Sequence, residues 1–267
     1  MSAVVVDDLG TEVPLQPPVR RLVSLVPNLS ETLWAWGLAD RLVGVTDWCV
    51  EPAEGFPQAE RVRGTKNPDV ARIVELAPDL VLANEEENRE LDVRRLRAAG
   101  LAVHVTRVRT VAGAADSLER LGRAVGAERS GLELAGRIRA AGERGAQVRM
   151  PRRRVFCAVW RDGPGGTAPE QWWSVGRATY GGDLLAGCGL DPVPVGEDAR
   201  YPRWSLEEVA ACDPDIILLP DEPYAFGDRD RAAFADWRAE VVGVDGRLLW
   251  WWGPRTPEAI DTLLGYR

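Results

Sequence analysis

Three consecutive tryptophans, Trp250, Trp251 and Trp252, run into a Gly-Pro-Arg turn ending at Arg255. Other aromatics recur where short apolar runs end: Trp48, Trp160, the pair Trp172 and Trp173, Tyr201 and Tyr224. Aromatic faces bury a large area with little conformational entropy to lose, so a ring of them suits a flat apolar ligand, a planar macrocycle or an aromatic chelate. If 250–252 were strand, alternation would put Trp250 and Trp252 on one side and Trp251 on the other. Core packing or lobe-edge cover is the competing reading of the triplet. Trp204 and Trp237 fall in helical patterns and read as packing. Among polar residues, Lys66 is the single lysine of 33 basic side chains and sits in a loop before a helix; a ligand contact and a solvated turn are both open for it. Asn84 and Glu85 close an apolar run and are expected to meet ligand. Glu87 and Glu90 read as charges complementing a helix N-terminus, Glu90 pairing with Arg94. The acidic cluster lacks the alternating spacing of a calcium loop.

Several chemistries are excluded. There is one histidine, His104, and the four cysteines, Cys49, Cys157, Cys188 and Cys212, are widely scattered, so neither a zinc site nor a dithiol pair is spaced for. The protein is expected to bind no metal itself and to hold a chelate without His or Cys coordination. A net charge of −8 without a basic run argues against nucleic acid. No apolar run reaches the roughly 18–20 residues that span a bilayer, which argues against membrane insertion. The N-terminus has no basic n-region or long apolar h-region, and Cys49 lies too deep for a lipid anchor. The chain as written reads as cytoplasmic, and as periplasmic or extracytoplasmic if a signal has been removed.

The elements that must position these residues show an internal echo. "RIVELAPDLVLANEE" (72–86) and "EVAACDPDIILLPDE" (208–222) share a helix end, Pro-Asp, an apolar run and an acidic turn, with Pro78 matching Pro214 at an offset of 136. "RRLVSLV" (20–26) and "RRRVFCAV" (152–159) repeat a basic entry into a strand. Two similar α/β lobes with parallel-type sheets follow, residues 1–110 and 151–267, joined by a helical connector over 111–150. Strands are expected near 22–26, 42–45, 79–83 and 102–106, then near 154–160, 216–219 and 241–244. In the connector, Leu118, Leu121, Val125, Leu132, Ala135 and Ile138 read as a core-facing stripe, and Gly126 and Gly131 suggest a break between a shorter and a longer helix. Residues 161–171 read as an inserted flexible loop. Ligands of open α/β sheets bind beyond the carboxyl ends of the strands, so the ligand cleft is expected between the lobes.

The linked stretches "RRLVSLVPNLSETLWAWGLADRLVGVT", "GTKNPDVARIVELAPDLVLANEEEN" and "RYPRWSLEEVAACDPDIILLPDEPYAF" resemble the helical-backbone metal-chelate receptors, the solute-binding proteins of ABC importers for cobalamin, ferric siderophores and haem, with the cobalamin-binding branch nearest. The resemblance covers nearly the whole chain. It implies two α/β lobes joined by one long helix, and a chelate held by aromatics and a few polar groups, cobalamin or another metal chelate being the ligand and none bound covalently. Trp48 and Tyr201 fall where cobalamin binders carry cleft aromatics, and Trp252 lies close to a third such segment. The ligand set expected is Trp48, Lys66, Asn84, Glu85, Trp160, Trp173, Tyr201, Tyr224, Trp252 and Arg255. An ABC permease is the implied partner, docking on a carboxylate of each lobe; Glu207 or Glu208 offers one, whereas the matching helix of the first lobe has Ala71.

The function expected is therefore a non-catalytic binding protein for a corrinoid or related chelate, in an importer or as a cytosolic relative. Two other classes compete. An enzyme acting on a bound chelate would use Glu85, Glu86, Asp221 or Glu222 as acid or base, although no nucleophile–His pair or phosphate loop is present. A sensor or scaffold protein would keep the fold and bind another protein.

Overall fold

The computed structural model describes residues 3–147, 151–162, 170–195 and 200–266. The chain divides into two compact units, Met1–Val108 with Gly113–Arg137, and Arg109–Ala112 with Ile138–Arg267.

In the first unit, β1 (Ala3–Val6) and β2 (Glu12–Leu15) form an antiparallel hairpin that the sequence did not announce. β3 (Leu22–Ser24) feeds α1 (Pro27–Ala35), whose proline stands in the first turn, where a missing N–H costs nothing. β4 (Leu42–Val45), the two-residue strands β5 (Glu60–Arg61), β6 (Arg63–Gly64) and β7 (Asn67–Pro68), α2 (Val70–Glu75), β8 (Leu80–Asn84), α3 (Glu90–Ala98) and β9 (Val103–Thr106) follow. The sheet order is β5-β4-β3-β8-β9, with all neighbours parallel. β8 is buried along its length because both sheet faces are covered, which is why its sequence is a continuous apolar run. Val23, Leu25, Val81, Ala83, Val103 and Val105 form one core with Ile73 and Leu96 of the helices.

Residues 111–147 make two helices, α4 (Val111–Val125) and α5 (Glu128–Gln147), of 15 and 20 residues. The break lies at Gly126, in the left-handed region at φ +69°. Gly131 does not break the helix; a Cβ there would lie 2.7 Å from the Leu118 carbonyl oxygen, so it lets α5 pass close to α4. The break also shifts the helical phase. Leu118, Leu121, Val125, Ala135 and Ile138 are buried as the stripe requires, but Leu132 is 48% exposed. The α5 stripe runs instead through Leu134, Ala135, Ile138 and Ala141. The expected helix end near Met150 lies outside the described residues.

In the second unit, β10 (Arg153–Arg161), β11 (Trp172–Ser174), α6 (Tyr180–Gly187), β12 (Leu190–Pro192), β13 (Arg203–Trp204), α7 (Leu206–Ala211), β14 (Ile216–Pro220), α8 (Asp228–Arg231), β15 (Glu240–Val244), α9 (Gly246–Trp250) and α10 (Thr256–Leu264) succeed one another. A separate sheet runs β13-β11-β10-β14-β15, with β12 beside the start of β10. β14 lies parallel between β10 and β15, while β11 and β13 add an antiparallel edge. No strand pair joins this sheet to the first among the described residues. Trp204 is thus a strand residue, not a helical one: it pairs with Trp172, its indole donates to Ser174 Oγ, and the Ser205 cap delays helix α7 until Leu206. Trp237 lies in the turn before β15, where its N–H donates to the Phe234 carbonyl and its ring meets Phe234 edge-on at 5.1 Å. Neither tryptophan is helical as expected, but both pack against the second core.

The echo is chemical as well as textual. Asp79 Oδ2 accepts the N–H groups of Arg20 and Arg21 at 2.7 and 2.8 Å, and Asp215 Oδ2 accepts that of Arg154 at 2.7 Å. Each carboxylate sits at the start of its strand and fixes the entry of the neighbouring one. Before each Pro-Asp stands a non-glycine residue with positive φ, Ala77 at 43° and Asp213 at 45°. The Arg–Asp clasp pins the amino ends of both sheets, leaving the carboxyl ends to loops.

Candidate functional site

In the first unit the carboxyl ends of β4 and β8 carry the candidates. Trp48 is 64% exposed, an unusual state for a residue of that size. Its Nε1 lies 3.4 Å from where a Cβ on Gly64 would stand, so the indole lies against the β6–β7 hairpin. The loop beneath it is tied down: Asp47 N donates to Arg63 O, and the Arg61 guanidinium donates to the carbonyls of Thr46 and Cys49, both at 2.9 Å. The buried Cys49 thiol lies 3.0 Å from Ser30 Oγ and 3.1 Å from Thr46 Oγ1, and burial pushes it above its ordinary range. It is a packing residue and not a thiolate ligand.

Lys66 projects from the β6–β7 turn, exposed, with Nζ on the Glu86 carbonyl and 3.9 Å from the Glu87 carboxylate. Asn84 has a different place from the one expected. It is buried, its Oδ1 accepts the N–H groups of Glu86 and Glu87, and its Nδ2 donates to Thr106 Oγ1. Asn88 completes the device, accepting from Asn84 N and donating to the carbonyls of Leu25 and Thr65. Asn84 organises the acidic turn, and the exposed Glu85 and the half-buried Glu86 are the side chains it presents.

In the second unit the rim is aromatic. Trp160, at the end of β10, is 46% exposed and meets Tyr224 edge-on at 5.3 Å. Tyr224 leans on Phe226 at 4.6 Å, and Phe226 stacks on the fully buried Trp172 at 5.7 Å and 6° between planes. A relay of rings therefore runs from the surface pair into the core. An ion cluster holds it. Arg161, 6% exposed, places Nη1 2.6 Å from Asp230 and Nε 2.9 Å from Glu170, the second contact being out of line for a hydrogen bond, while its guanidinium lies 4.8 Å over the Trp172 ring. Trp173 pairs across strands with Trp160 and is half-buried beneath the Arg203 guanidinium at 5.6 Å. Tyr201 is 38% exposed, between Arg200 and Pro202, whose carbonyls accept the N–H groups of Gly176 and Ser174. Of the inserted loop, residues 163–169 lie outside the described residues; Asp162 N donates to Gln171 O across its base.

The tryptophan triplet departs from the expected strand. β15 ends at Val244, the Asp245 side chain caps a helix by accepting Arg247 N–H, and Gly246 starts α9 within reach of Glu222, where any Cβ would meet Glu222 Cγ at 2.6 Å. Alternation of faces does not apply to a helix ending at Trp250. Trp252 is 4% exposed, so it is an interior residue. Trp250 packs on Gly181 and donates its indole N–H to Glu222 O at 2.8 Å. Trp250 and Trp251 are both half-buried, and the Arg255 guanidinium lies 5.5 Å over the Trp251 ring. The sequence signal for this turn was Asp-Gly directly after an apolar run.

His104 stands in the middle of β9, wholly buried, and neither ring nitrogen has a hydrogen-bond partner. No group of three or more His, Cys, Asp or Glu placed to hold a metal ion occurs among the described residues, and no helix there is long and apolar enough to cross a membrane. Of the expected docking carboxylates, Glu208 turns back onto Ser205 N and Oγ in a capping box, and Glu207 is exposed.

The model of the family described as periplasmic binding protein matches residues 22–236, most of the chain. The chain belongs to the periplasmic binding protein family. Members of this family are solute-binding proteins, and this chain is a solute-binding protein and not an enzyme. Among similar members, the vitamin B12-binding protein of Vibrio vulnificus is 25% identical over 250 residues, 91% of this chain and 87% of its own length. An uncharacterised ABC transporter substrate-binding lipoprotein of Bacillus subtilis is 26% identical over 273 residues, 97% of this chain and 84% of its own. The crystal structure of the periplasmic vitamin B12-binding protein of Vibrio cholerae shares the fold at TM-score 0.77, with 24% identity, 93% of this chain and 96% of that one covered. A periplasmic haem-binding protein of Pseudomonas aeruginosa matches at TM-score 0.77 and 25% identity, covering 93% and 92%.

Proposed function

We propose that this periplasmic binding protein carries a planar metal chelate, a corrinoid or a related macrocycle, and delivers it to an ABC permease outside the cytoplasmic membrane. The observation that carries the reading is the pair of exposed, braced indoles at the carboxyl rims, Trp48 in the first unit and Trp160 in the second. Tryptophans left this open but anchored are surface reserved for a ligand, since covering a large aromatic is worth about 1.5–3 kcal/mol. Tyr224, Tyr201 and Trp173 extend the aromatic surface, Trp251 takes the part first expected of Trp252, and Lys66, Glu85 and Arg255 supply polar contacts. The one histidine is buried in β9 and does not reach the chelate. Glu207 is the docking carboxylate on the second unit. Relatives that bind vitamin B12 or haem support the ligand class, and a panel of cyanocobalamin, hemin and ferric siderophores followed by tryptophan quenching tests it. Saturable quenching by a chelate is expected; an unquenched protein across the panel would remove the reading.

A further inference from the structure

The antiparallel edge β10–β11–β13 sets an arginine over a tryptophan twice, once on each face. Arg161 stands opposite Trp172 and Trp172 opposite Trp204, and on this face the Arg161 guanidinium lies 4.8 Å over the Trp172 ring. Trp160 stands opposite Trp173 and Trp173 opposite Arg203, and on the other face the Arg203 guanidinium lies 5.6 Å over the Trp173 ring. Directly opposed residues of antiparallel strands project to one side, so Trp160, Trp173 and Arg203 form a row. With strands about 4.8 Å apart, that row is about 10 Å long. A bulge in β10 sets it: the register shifts between Ala158 and Trp160, so that Trp160 and not Val159 faces Trp173. Tyr224, edge-on to Trp160 at 5.3 Å, closes the end of the row away from Arg203.

The two faces differ in what neutralises the cation. Arg161 is buried, with Asp230 at 2.6 Å and Glu170 at 2.9 Å. Arg203 is exposed, and among the described residues no carboxylate pairs with it. Exposed Trp160 and half-buried Trp173 lie open beside it.

We infer that Arg203 is a specificity residue of the chelate site, taking an ionised carboxylate at the edge of a flat macrocycle that lies on Trp160 and Trp173; the inference rests on the chelate-binding reading above. The indoles supply contact area for the ring system, and a guanidinium is the side chain whose fork meets a carboxylate through two parallel N–H···O bonds. Its place over Trp173 restrains a long side chain before the ligand arrives, so less rotamer freedom is lost on binding. The buried face carries the same unit already satisfied, Arg161 over Trp172 facing two carboxylates at once. The ligand class narrows accordingly to planar chelates with a carboxylate at the rim. A macrocycle edged only with neutral amides would leave Arg203 without its counter-charge.

Affinities for hemin, whose periphery carries carboxylates, and for hemin dimethyl ester, measured on the full chain by tryptophan quenching, test this. Pyrene-1-carboxylate and 1-pyrenemethanol serve as a second flat pair, acid and neutral, that holds no metal. The wild type should bind each acid about tenfold tighter than its neutral partner. The gap should narrow at about 1 M salt, because the cation is exposed. Arg203→Gln should close it, and Arg203→Lys, which keeps the charge without the fork, should retain part of it. Equal affinity for acid and neutral partner in the wild type, or a gap that survives Arg203→Gln, would overturn the inference. Cyanocobalamin bound while both acids are rejected would overturn it too and leave the chelate reading standing. An Arg203-dependent preference for the pyrene acid with no chelate bound would support the carboxylate site and strike the chelate reading, and no probe bound at all would strike both.

Discussion

Arg161→Met removes a guanidinium from the middle of the second unit while retaining the apolar stem. What remains is the Asp230 carboxylate, 8% exposed, with the Gly227 N–H at 2.9 Å as its residual donor. Breaking a buried pair by deleting one partner costs about 3–5 kcal/mol, chiefly the price of the uncompensated charge. Glu170, 31% exposed, recovers most of its loss in water and adds little. The lost contact over Trp172 adds about 1–2 kcal/mol. We expect Arg161→Met to lower stability by about 4–7 kcal/mol, and Arg161→Met with Asp230→Asn to be more stable than the single variant, because the stranded charge is gone. Urea unfolding followed by tryptophan emission suits the test. Eight of the 11 tryptophans, 160, 172, 173, 204, 237, 250, 251 and 252, lie in the second unit, so the signal reports the unit perturbed. A single variant within about 1 kcal/mol of wild type, or a double variant no better than the single, would refute the assignment of Arg161 as the buried counter-charge.

Asp79→Ala removes the acceptor for two backbone N–H groups at the entry of β3 and should cost about 1–3 kcal/mol in urea unfolding, with Asp79→Asn losing less. Ala77→Gly should raise stability by about 0.5–1 kcal/mol, since relief of the left-handed conformation exceeds the entropy lost to glycine; a thermal melt without gain would contradict this. His104 offers a pH test. Burial, opposed by Asp8 and Asp7 and joined by Arg120 and Arg97, holds its imidazole below the usual range, so the unfolded chain takes up the proton first. Stability from this residue is complete above pH about 6.5 and is lost as pH falls below it. His104→Phe, which replaces two unpartnered nitrogens by carbon, should fold at pH 7 and show a shallower loss between pH 6.5 and 5 in denaturant midpoints.

The central parallel strands were legible in the sequence because burial on both faces writes them as uninterrupted apolar runs, as in 80–83 and 216–220. The two-unit plan was legible through Pro78 and Pro214, and the clasp of Asp79 and Asp215 explains why that dipeptide recurs. Two-residue strands such as 60–61 and 67–68 were not, since so short a segment has no period to read. Leu132 was misassigned because a helical stripe was continued through a break that resets its phase. At the site, residue types were a better guide than positions. Trp48 and Tyr224 reach the rim because each follows a strand, and Trp160 because it stands at the end of one, but Asn84 turned inward, where it accepts from Glu86 and Glu87, and Trp252 is interior because Asp245 and Gly246 start a helix. Arg161 was invisible, its partners lying 9 and 69 residues away with no pattern linking them.

The central claim is that exposed rim tryptophans bind a planar chelate, and isothermal titration of cyanocobalamin and hemin into folded wild type, Trp48→Ala, Trp160→Ala and Trp237→Ala tests it most directly. The account predicts that one of these chelates binds the wild type, that loss of Trp48 or Trp160 weakens it by about 1–3 kcal/mol, and that Trp237→Ala, which removes an interior contact with Phe234, costs stability and leaves affinity nearly unchanged. Wild-type affinity in both the Trp48→Ala and Trp160→Ala proteins would contradict it.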